Sequence, residues 1–222
     1  MRFATRRRVL QSALSLGGLA AAAPLGRALA DLTNTPMQTL GPFYPVMRPL
    51  EDDADLTMLK GHAGRAHGKV VHLSGRVLDL HGNPVRNAKI ELWQANAHGR
   101  YAHPADVNPA PLDPDFQGYG VQMTDADGRY RFRTIKPAAY PIGPMNLDAI
   151  RTPHIHFDIA GANTRLITQM YFPGEPQNSG DIIFGRLDAT ERSAATATVL
   201  PAGDGAEADS LVLHWDIVLL AG

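Results

Sequence analysis

The chain has 222 residues, of which 44% are hydrophobic and 19% charged, with a formal net charge of −1. This apolar fraction is enough to bury a core, which excludes general disorder, and the length indicates one domain. The sequence has no cysteine, which excludes disulfides, thiolate nucleophiles and cysteine-ligated metal sites. Any metal ion would have to be held by histidine, tyrosine, carboxylate, methionine or main-chain oxygen.

The first thirty residues have the pattern of an export signal. They contain five of the 21 lysines and arginines and no acidic residue, and Arg6, Arg7 and Arg8 precede an apolar stretch too short to span a membrane. The segment ends in Ala28-Leu29-Ala30, a site suited to signal peptidase. We therefore expect a twin-arginine-type signal peptide at 1–30, a mature domain at 31–222, periplasmic or exported location and no stable membrane anchor after cleavage. An uncleaved anchor or amphipathic helix is the alternative.

The mature part is acidic. Removal of residues 1–30 leaves 16 basic and 22 acidic residues, a net charge of −6, and no lysine- or arginine-rich run remains. These features argue against nucleic acid as a partner.

Short strands recur between turn signals along the mature chain. Alternating or β-branched stretches predict strands at 69–80, 88–95, 129–135, 154–160, 165–172 and 211–220. Only 50–59 and 188–195 are suited to short helices, and both tryptophans are expected in the core. The pattern predicts an all-β fold, an antiparallel β-sandwich. Two proline-rich segments, 99–119 and 136–153, are expected to be long loops that form an active-site wall.

Two histidines stand at alternate positions of a predicted strand. His154 and His156 therefore project from one face at a spacing that one metal ion can bridge. Asp158 follows on that face, but three ligands in a row along one strand are hard to arrange around one ion. Tyr101 and Tyr140, in the two long loops, are better placed. A phenol ligates as phenolate, which requires a strongly Lewis-acidic ion such as ferric iron.

Six segments of the sequence resemble the intradiol ring-cleavage dioxygenases, and within that family the iron-bearing β chains of the protocatechuate 3,4-dioxygenases. They are Gly41-Pro42-Phe43-Tyr44-Pro45 and the stretches 90–106, 111–120, 124–141, 151–157 and 166–176. Together they cover most of the mature domain in the family order. The resemblance implies a prealbumin-like sandwich core with long loops that build the active site.

The resemblance also implies a metal centre. Tyr101 and His154 would be equatorial ligands of Fe(III), and Tyr140 and His156 the axial pair. A catechol-type substrate would bind as a dianion and react with O2 to give a cis,cis-muconate-type product, with Tyr140 as a base. Arg151 would bind substrate and stabilise negative charge on its ring, Gln169 would support catalysis from behind the ligands, and Tyr44 would contact substrate.

Some features depart from the family pattern or stay open. Ile142 and Gly143 stand where relatives of the β chain commonly have tryptophan and a basic residue, so the particular catechol is not specified. An oligomer is expected, either of identical chains or with an α-type chain. The alternatives are a non-catalytic prealbumin-like binding module, or a zinc hydrolase that uses His154 and His156. Phenolate is an unusual zinc ligand, which disfavours the latter.

Overall fold

The computed structural model describes residues 32–47, 51–143, 146–203 and 206–221, and the predicted signal peptide lies outside these ranges. The strands there are β1 (Val70–Asp79), β2 (Lys89–Trp93), β3 (Tyr119–Met123), β4 (Arg129–Ile135), β5 (Tyr140–Gly143), β6 (Asn146–Arg151), β7 (His154–Ala160), β8 (Arg165–Tyr171), β9 (Thr198–Leu200), β10 (Leu211–His214) and β11 (Ile217–Leu219). One helix, α1 (Ala189–Ala195), and two 3-10 turns, Pro176–Gly180 and Phe184–Arg186, complete the secondary structure of the described residues. Within these ranges no helix reaches the length and apolarity that crossing a membrane would require.

Two sheets pack face to face, which confirms the predicted all-β sandwich. One has the order β11-β1-β10-β9 with β4 paired to β1, the other the order β3-β2-β7-β8, and β5 and β6 form a separate hairpin. Inward-facing aliphatic and aromatic side chains of both sheets, such as Leu73, Ile90, Phe132 and Phe157, form one buried core. The alternation of apolar residues read from the sequence is thus the alternation of inward-facing positions.

The first sheet differs from the antiparallel prediction. β10 and β11 both run parallel to β1. They are also two strands rather than the single one expected at 211–220, because the chain bends at Trp215 and Asp216. There the amide of Trp215 donates to Ser74, and Asp216 accepts from the amide of Arg76, at 2.9 and 2.8 Å.

Two further expectations were wrong. The helix expected at 50–59 is not formed over residues 51–59, which run beside β4, where the Leu56 amide donates to Arg133 and Leu56 is buried in the core. Asp53 and Asp55 accept hydrogen bonds from amides two residues on, a local pairing that competes with helix formation. The loop expected at 136–153 contains β5 and β6. The loop at 99–119 is confirmed up to the start of β3, and α1 confirms the predicted helix at 188–195.

Candidate metal centre

Strand β7 presents two histidines on the face that points away from the core. Ile155, Phe157 and Ile159 enter the core, so the alternate residues His154 and His156 lie together on the outer face of the second sheet. Both are buried, with exposed fractions of 1% and 2%. Their Nε2 atoms are 3.1 Å apart. The arrangement is the one expected from the sequence, with both imidazoles directed at one point.

The first tyrosine comes from the loop after β2. Asn96 accepts hydrogen bonds from the amides of His98 and Arg100, and Asp106 accepts from the amide of Tyr101 at 2.7 Å. Gly99 in this turn has a φ of +78°, and a Cβ there would lie 2.6 Å from the carbonyl oxygen of Ala139. A glycine is therefore needed for this loop to approach the segment that leads into β5.

The second tyrosine opens the β5–β6 hairpin. Tyr140 is the first residue of β5 and pairs directly with Arg151, the last residue of β6. The phenol of Tyr140 is therefore held in a strand rather than in a loop, and a buried arginine stands beside it. Arg151 and Tyr140 are only 6% and 7% exposed.

The four predicted ligands form one continuous cluster. The hydroxyls of Tyr101 and Tyr140 are 3.4 Å apart, and the Tyr140 hydroxyl is 3.4 Å from His154 Nε2, which faces His156 Nε2. The four donor atoms thus follow one another at near hydrogen-bond spacing inside a buried site. The sequence-predicted set is brought together without exception.

The charge state of the cluster suits a cation. Burial, followed by the nearby Arg151 charge, holds the pKa of His154 well below its usual range, and burial with His154 does the same for the pKa of His156. Both imidazoles are therefore neutral near pH 7 and their lone pairs are available. Burial raises the pKa of Tyr101 well above its usual value, so this phenol would ionise only against a strong Lewis acid.

The two histidines are oriented in different ways. His154 Nδ1 donates to the carbonyl oxygen of Thr152 at 2.7 Å, which leaves Nε2 as the lone-pair nitrogen. His156 Nδ1 has no hydrogen-bond partner among the described residues. Its ring is instead stacked on Trp93, with centroids 4.8 Å apart and planes 10° apart, and Gly41 packs against its edge. Trp93, expected in the core with Trp215, therefore supports the site instead.

Arg151 is fixed by two buried partners. Its Nε donates to Asp181 at 2.8 Å and its Nη2 to the side-chain oxygen of Gln169 at 2.6 Å. Gln169 is itself held, because its amide nitrogen donates to the carbonyl oxygen of Thr39 at 3.1 Å. The family resemblance predicts that Gln169 lies behind the ligands. In the structure it contacts Arg151 and not the four donor atoms.

The N-terminal segment covers one side of the cluster. The Phe43 ring lies 4.6 Å from Tyr101 and 6.3 Å from Tyr140, between centroids. Tyr44 packs edge-on against Trp93, and its hydroxyl hydrogen-bonds to Glu91 of β2. A contact between Tyr44 and substrate stays a prediction. Phe43 is the residue of this segment that packs against Tyr101 and Tyr140.

The donor set fits ferric iron better than a carboxylate-ligated metal. Asp158, the third residue on the outer face of β7, forms a bidentate ion pair with Arg165 at 2.6 and 2.9 Å. No group of three or more histidines, cysteines and acids suited to a metal ion occurs in the described ranges. A centre here must therefore use the buried phenols, and two neutral imidazoles with two phenolates are a donor set for a hard trivalent ion.

Sequence reasoning missed Asp181. It lies in no motif and 30 positions from Arg151, so neither spacing nor periodicity connects the two residues. One signal was available, because Asp181 is the only acidic residue at 176–187 and directly precedes Ile182, Ile183 and Phe184. An isolated acid directly before an apolar run is expected to need a partner if that run is buried.

Fold and site define a β-sandwich protein with a buried centre of two histidines and two tyrosines. A family model described as "Dioxygenase" matches residues 40–221. The chain is 48% identical over 170 residues to the protocatechuate 3,4-dioxygenase beta chain of Burkholderia cepacia, covering 75% of this chain and 71% of that one. It is 35% identical over 157 residues to a hydroxyquinol 1,2-dioxygenase of a Rhizobium species, covering 66% of this chain and half of that one.

Solved structures agree. The dioxygenase domain of a Streptomyces dioxygenase–carbohydrate-binding fusion matches with a TM-score of 0.62 and 28% identity, over 86% of this chain and all of that one. The chain belongs to the intradiol ring-cleavage dioxygenases, a family of enzymes.

Proposed function

We propose that this chain is an Fe(III)-dependent dioxygenase that cleaves a catechol-type ring between its two hydroxylated carbons. One catechol and one O2 together give one cis,cis-muconate-type diacid. Both atoms of O2 enter this product, so no further reductant is needed. The observation that carries the proposal is the convergence of Tyr101, Tyr140, His154 and His156 beside the buried Arg151. Family membership supports the same reaction class.

The four converging side chains are the residues that would hold the ion. When bound, ferric iron supplies the Lewis acidity that keeps both phenols ionised and makes a bound catecholate reactive toward O2. Two neutral histidines and two phenolates together carry a charge of −2, so a bound ferric ion would leave a single positive charge on the site. That charge would favour the negative oxygens that a catechol presents once its protons have left.

Tyr140 is the residue suited to proton transfer. Its Oη would take up the proton that one catechol hydroxyl loses on binding, acting as a general base, and a hydroxide from solvent would take up the proton of the other hydroxyl. Burial raises the pKa of Tyr140 while the Arg151 guanidinium opposes that effect, so the protonated phenol is a stable end state for this step. The base and the cation sit on directly paired residues of one hairpin.

Arg151 is the residue suited to stabilising negative charge on the substrate ring. Its guanidinium is buried and held by Asp181 and Gln169, so it does not need to reorganise as charge develops. Phe43 and Trp93 limit the access of water to the ligands, because their rings pack against Tyr101 and His156.

The substrate class is proposed as catechols without further specification of ring substituents. Ile142 and Ile150 lie on the β5–β6 hairpin next to Tyr140 and Arg151, and both are about one-third exposed, at 37% and 36%. These two exposed aliphatic side chains offer no charge to a substrate carboxylate. Catechol and hydroxyquinol are therefore included with protocatechuate as compounds to test.

The experiment that tests the proposal is a visible absorption spectrum of the purified mature protein with iron quantified. A tyrosinate-to-iron band at about one iron per chain, moving to longer wavelength when catechol is added under argon, is the expected result. Admission of O2 should then give one muconate-type product per catechol. Protein that stays colourless after ferric iron is supplied would overturn the proposal.

The two alternatives give different results in the same experiment. A zinc hydrolase would hold a colourless metal and hydrolyse esters or amides. A binding module would show no change in melting temperature with added metal, since a ligand that binds only the folded state must raise it.

We also propose export through the twin-arginine route and assembly into an oligomer. The arginines at 6–8 and the Ala28-Leu29-Ala30 site support the first, and similarity to a protein named as a beta chain supports the second. Fractionation of expressing cells with the Arg6→Lys/Arg7→Lys variant tests the export route. Light scattering of the purified chain, alone, tests whether it assembles without a second chain.

A further inference from the structure

We propose that Asp181 is a positioning residue, which fixes Arg151 and, through the Thr152 peptide, His154. The inference rests on the proposed function, in which Arg151 stabilises substrate charge and His154 is a ligand. Asp181 itself contacts Arg151 and the Thr152 amide, so any effect on substrate would pass through those groups. Its role would be to hold Arg151, at the end of β6, and His154, at the start of β7, in fixed positions relative to each other.

Asp181 is immobilised by its own hydrogen bonds. Its side chain is 0% exposed, and Oδ1 accepts from the amides of Ile183 and Phe184, each at 2.9 Å. Oδ2 accepts from Arg151 Nε at 2.8 Å and from the amide of Thr152 at 2.9 Å. Both oxygens are thus used twice, and a carboxylate held on both sides cannot rotate without breaking charge-assisted bonds.

The carboxylate sets the plane of the arginine. The guanidinium donates from Nε to Asp181 and from Nη2 to Gln169. Because the group is planar, these two hydrogen bonds fix its orientation. The Asp181 charge also compensates a cation that is only 6% exposed. Without it, Arg151 would be an uncompensated buried charge held only by Gln169 and no longer fixed in one orientation.

Asp181 Oδ2 is also connected to the proposed ligand His154, through Thr152. Oδ2 holds the Thr152 amide, and the Thr152 carbonyl oxygen accepts from His154 Nδ1 at 2.7 Å. That last bond selects the tautomer of His154 in which Nε2 is free to ligate. Outer partners of metal-bound histidines commonly change metal affinity or activity by about 10- to 100-fold.

A purely structural interpretation would confine Asp181 to fastening the segment at 176–186 onto the sheet. Arg192 of α1 offers the matched control, because it also fastens that segment, by donating to the carbonyl oxygens of Gly185 at 2.9 Å and Phe184 at 3.3 Å. It is exposed and contacts neither Arg151 nor Thr152. Loosening the segment through Arg192→Ala therefore separates a fastening role from a positioning role.

The test compares Asp181→Asn and Arg192→Ala in the full mature chain. Ferric affinity is measured by competition with a chelator, and the binding of 4-nitrocatechol is followed by its spectrum under argon. We expect Asp181→Asn to weaken ferric affinity about 10-fold and to lower kcat for catechol about 10- to 100-fold with a smaller change in KM. Arg192→Ala should lower the melting temperature and leave ferric affinity, nitrocatechol spectrum and kcat unchanged.

A second variant keeps the test decisive if Asp181→Asn does not fold. Arg151→Lys retains the charge but cannot bridge Asp181 and Gln169 together, so it should lose kcat to a similar degree while the nitrocatechol still binds. Wild-type kcat in Arg151→Lys, or equal losses of ferric affinity in Asp181→Asn and Arg192→Ala, would overturn the inference. Failure of the wild-type protein to bind iron or cleave catechol would overturn the proposed function instead.

Discussion

The two faces of strand β7 are equally buried but are held by different kinds of contact. On the inner face, Ile155, Phe157 and Ile159 are each 0% exposed and pack in the apolar core. On the outer face, His154 and His156 are 1% and 2% exposed and are held by a hydrogen bond to Thr152 and by stacking on Trp93. Apolar packing is non-directional, whereas the outer contacts each define an angle. The inner face should therefore determine stability, and the outer face should determine ligand geometry.

The largest expected effect comes from matched tyrosine substitutions, one in the cluster on the outer side of β7 and one in the core on its inner side. Tyr101→Phe removes a donor from the cluster and should abolish tight ferric binding and the visible band. Tyr130→Phe removes a buried hydroxyl that donates to the Trp215 carbonyl oxygen at 2.6 Å, and should cost about 1–2 kcal/mol of stability. Tyr130→Phe should keep the full visible band, measured with iron content and chemical denaturation. Retained iron in Tyr101→Phe would contradict the ligand assignment.

A substitution in the core should change stability without changing the centre. Phe157→Ala removes a ring that is 0% exposed and lies 5.1 Å from Trp215, so it should lower the free energy of unfolding by about 3–5 kcal/mol. Well below its melting temperature, the folded variant should bind iron with wild-type affinity. A shifted visible band at that temperature would show that the two faces of β7 are coupled.

Two glycines allow a finer test on the outer face. Gly41 and Gly174 have the same φ of +73°, but a Cβ on Gly41 would lie 3.2 Å from His156 Cε1, whereas nothing lies within 4 Å of one on Gly174. Alanine at either position should cost about 1–2 kcal/mol from backbone strain. Only Gly41→Ala should also shift the visible band, because only it presses on a ligand. Identical spectra for the two variants would argue that the Gly41 contact does not orient His156.

The smallest effect is expected far from the centre, in the surface cluster of Glu207, Arg133 and His72. Hydrogen bonding from Arg133, then from His72, lowers the pKa of Glu207 to about 2. A lowered carboxyl pKa stabilises the fold above the unfolded value of about 4.3, and this contribution is lost as pH falls toward 2. Because Glu207 is 43% exposed, Glu207→Gln should cost less than about 1 kcal/mol at pH 7.

The Glu207 prediction is checked by urea unfolding of both proteins between pH 7 and pH 2. The difference between them should shrink on acidification and also with added salt, which screens surface charges. Ferric affinity at pH 7 should be unaffected. A difference that grows on acidification would mean that the carboxylate is not the stabilising form.

The sequence predicted the parts of the fold in which alternation is clean. The bounds of β4 and β7 agree with the predicted strands, since one face of each is apolar and the other polar. β3, β5, β6 and β9 were missed, because proline, glycine and short length conceal their alternation. The Asp-rich start at 51–55 was mistaken for a helix because its side-chain pairing is visible only in the structure.

Some residues of the site could be predicted from the sequence and others could not. The four candidate ligands came from one strand pattern and from family resemblance, and the structure brings them together. Arg151 and Gln169 came from resemblance alone, and their contact with each other could not be anticipated. Asp181 and the stacking of Trp93 on His156 were missed, because both depend on how loops meet the sheet rather than on any local pattern.

The segment at 32–47 has a consequence for the order of folding. Its contacts join residues that are more than a hundred positions apart, including Gln38 to Thr168 and Thr39 to Gln169. Closing so long a loop costs conformational entropy that only a preformed β7–β8 surface can offset. We therefore expect the segment to dock last. This segment precedes every strand of the sandwich along the chain and is therefore synthesised before them, yet it would close over His156 last, once the sandwich beneath it is complete.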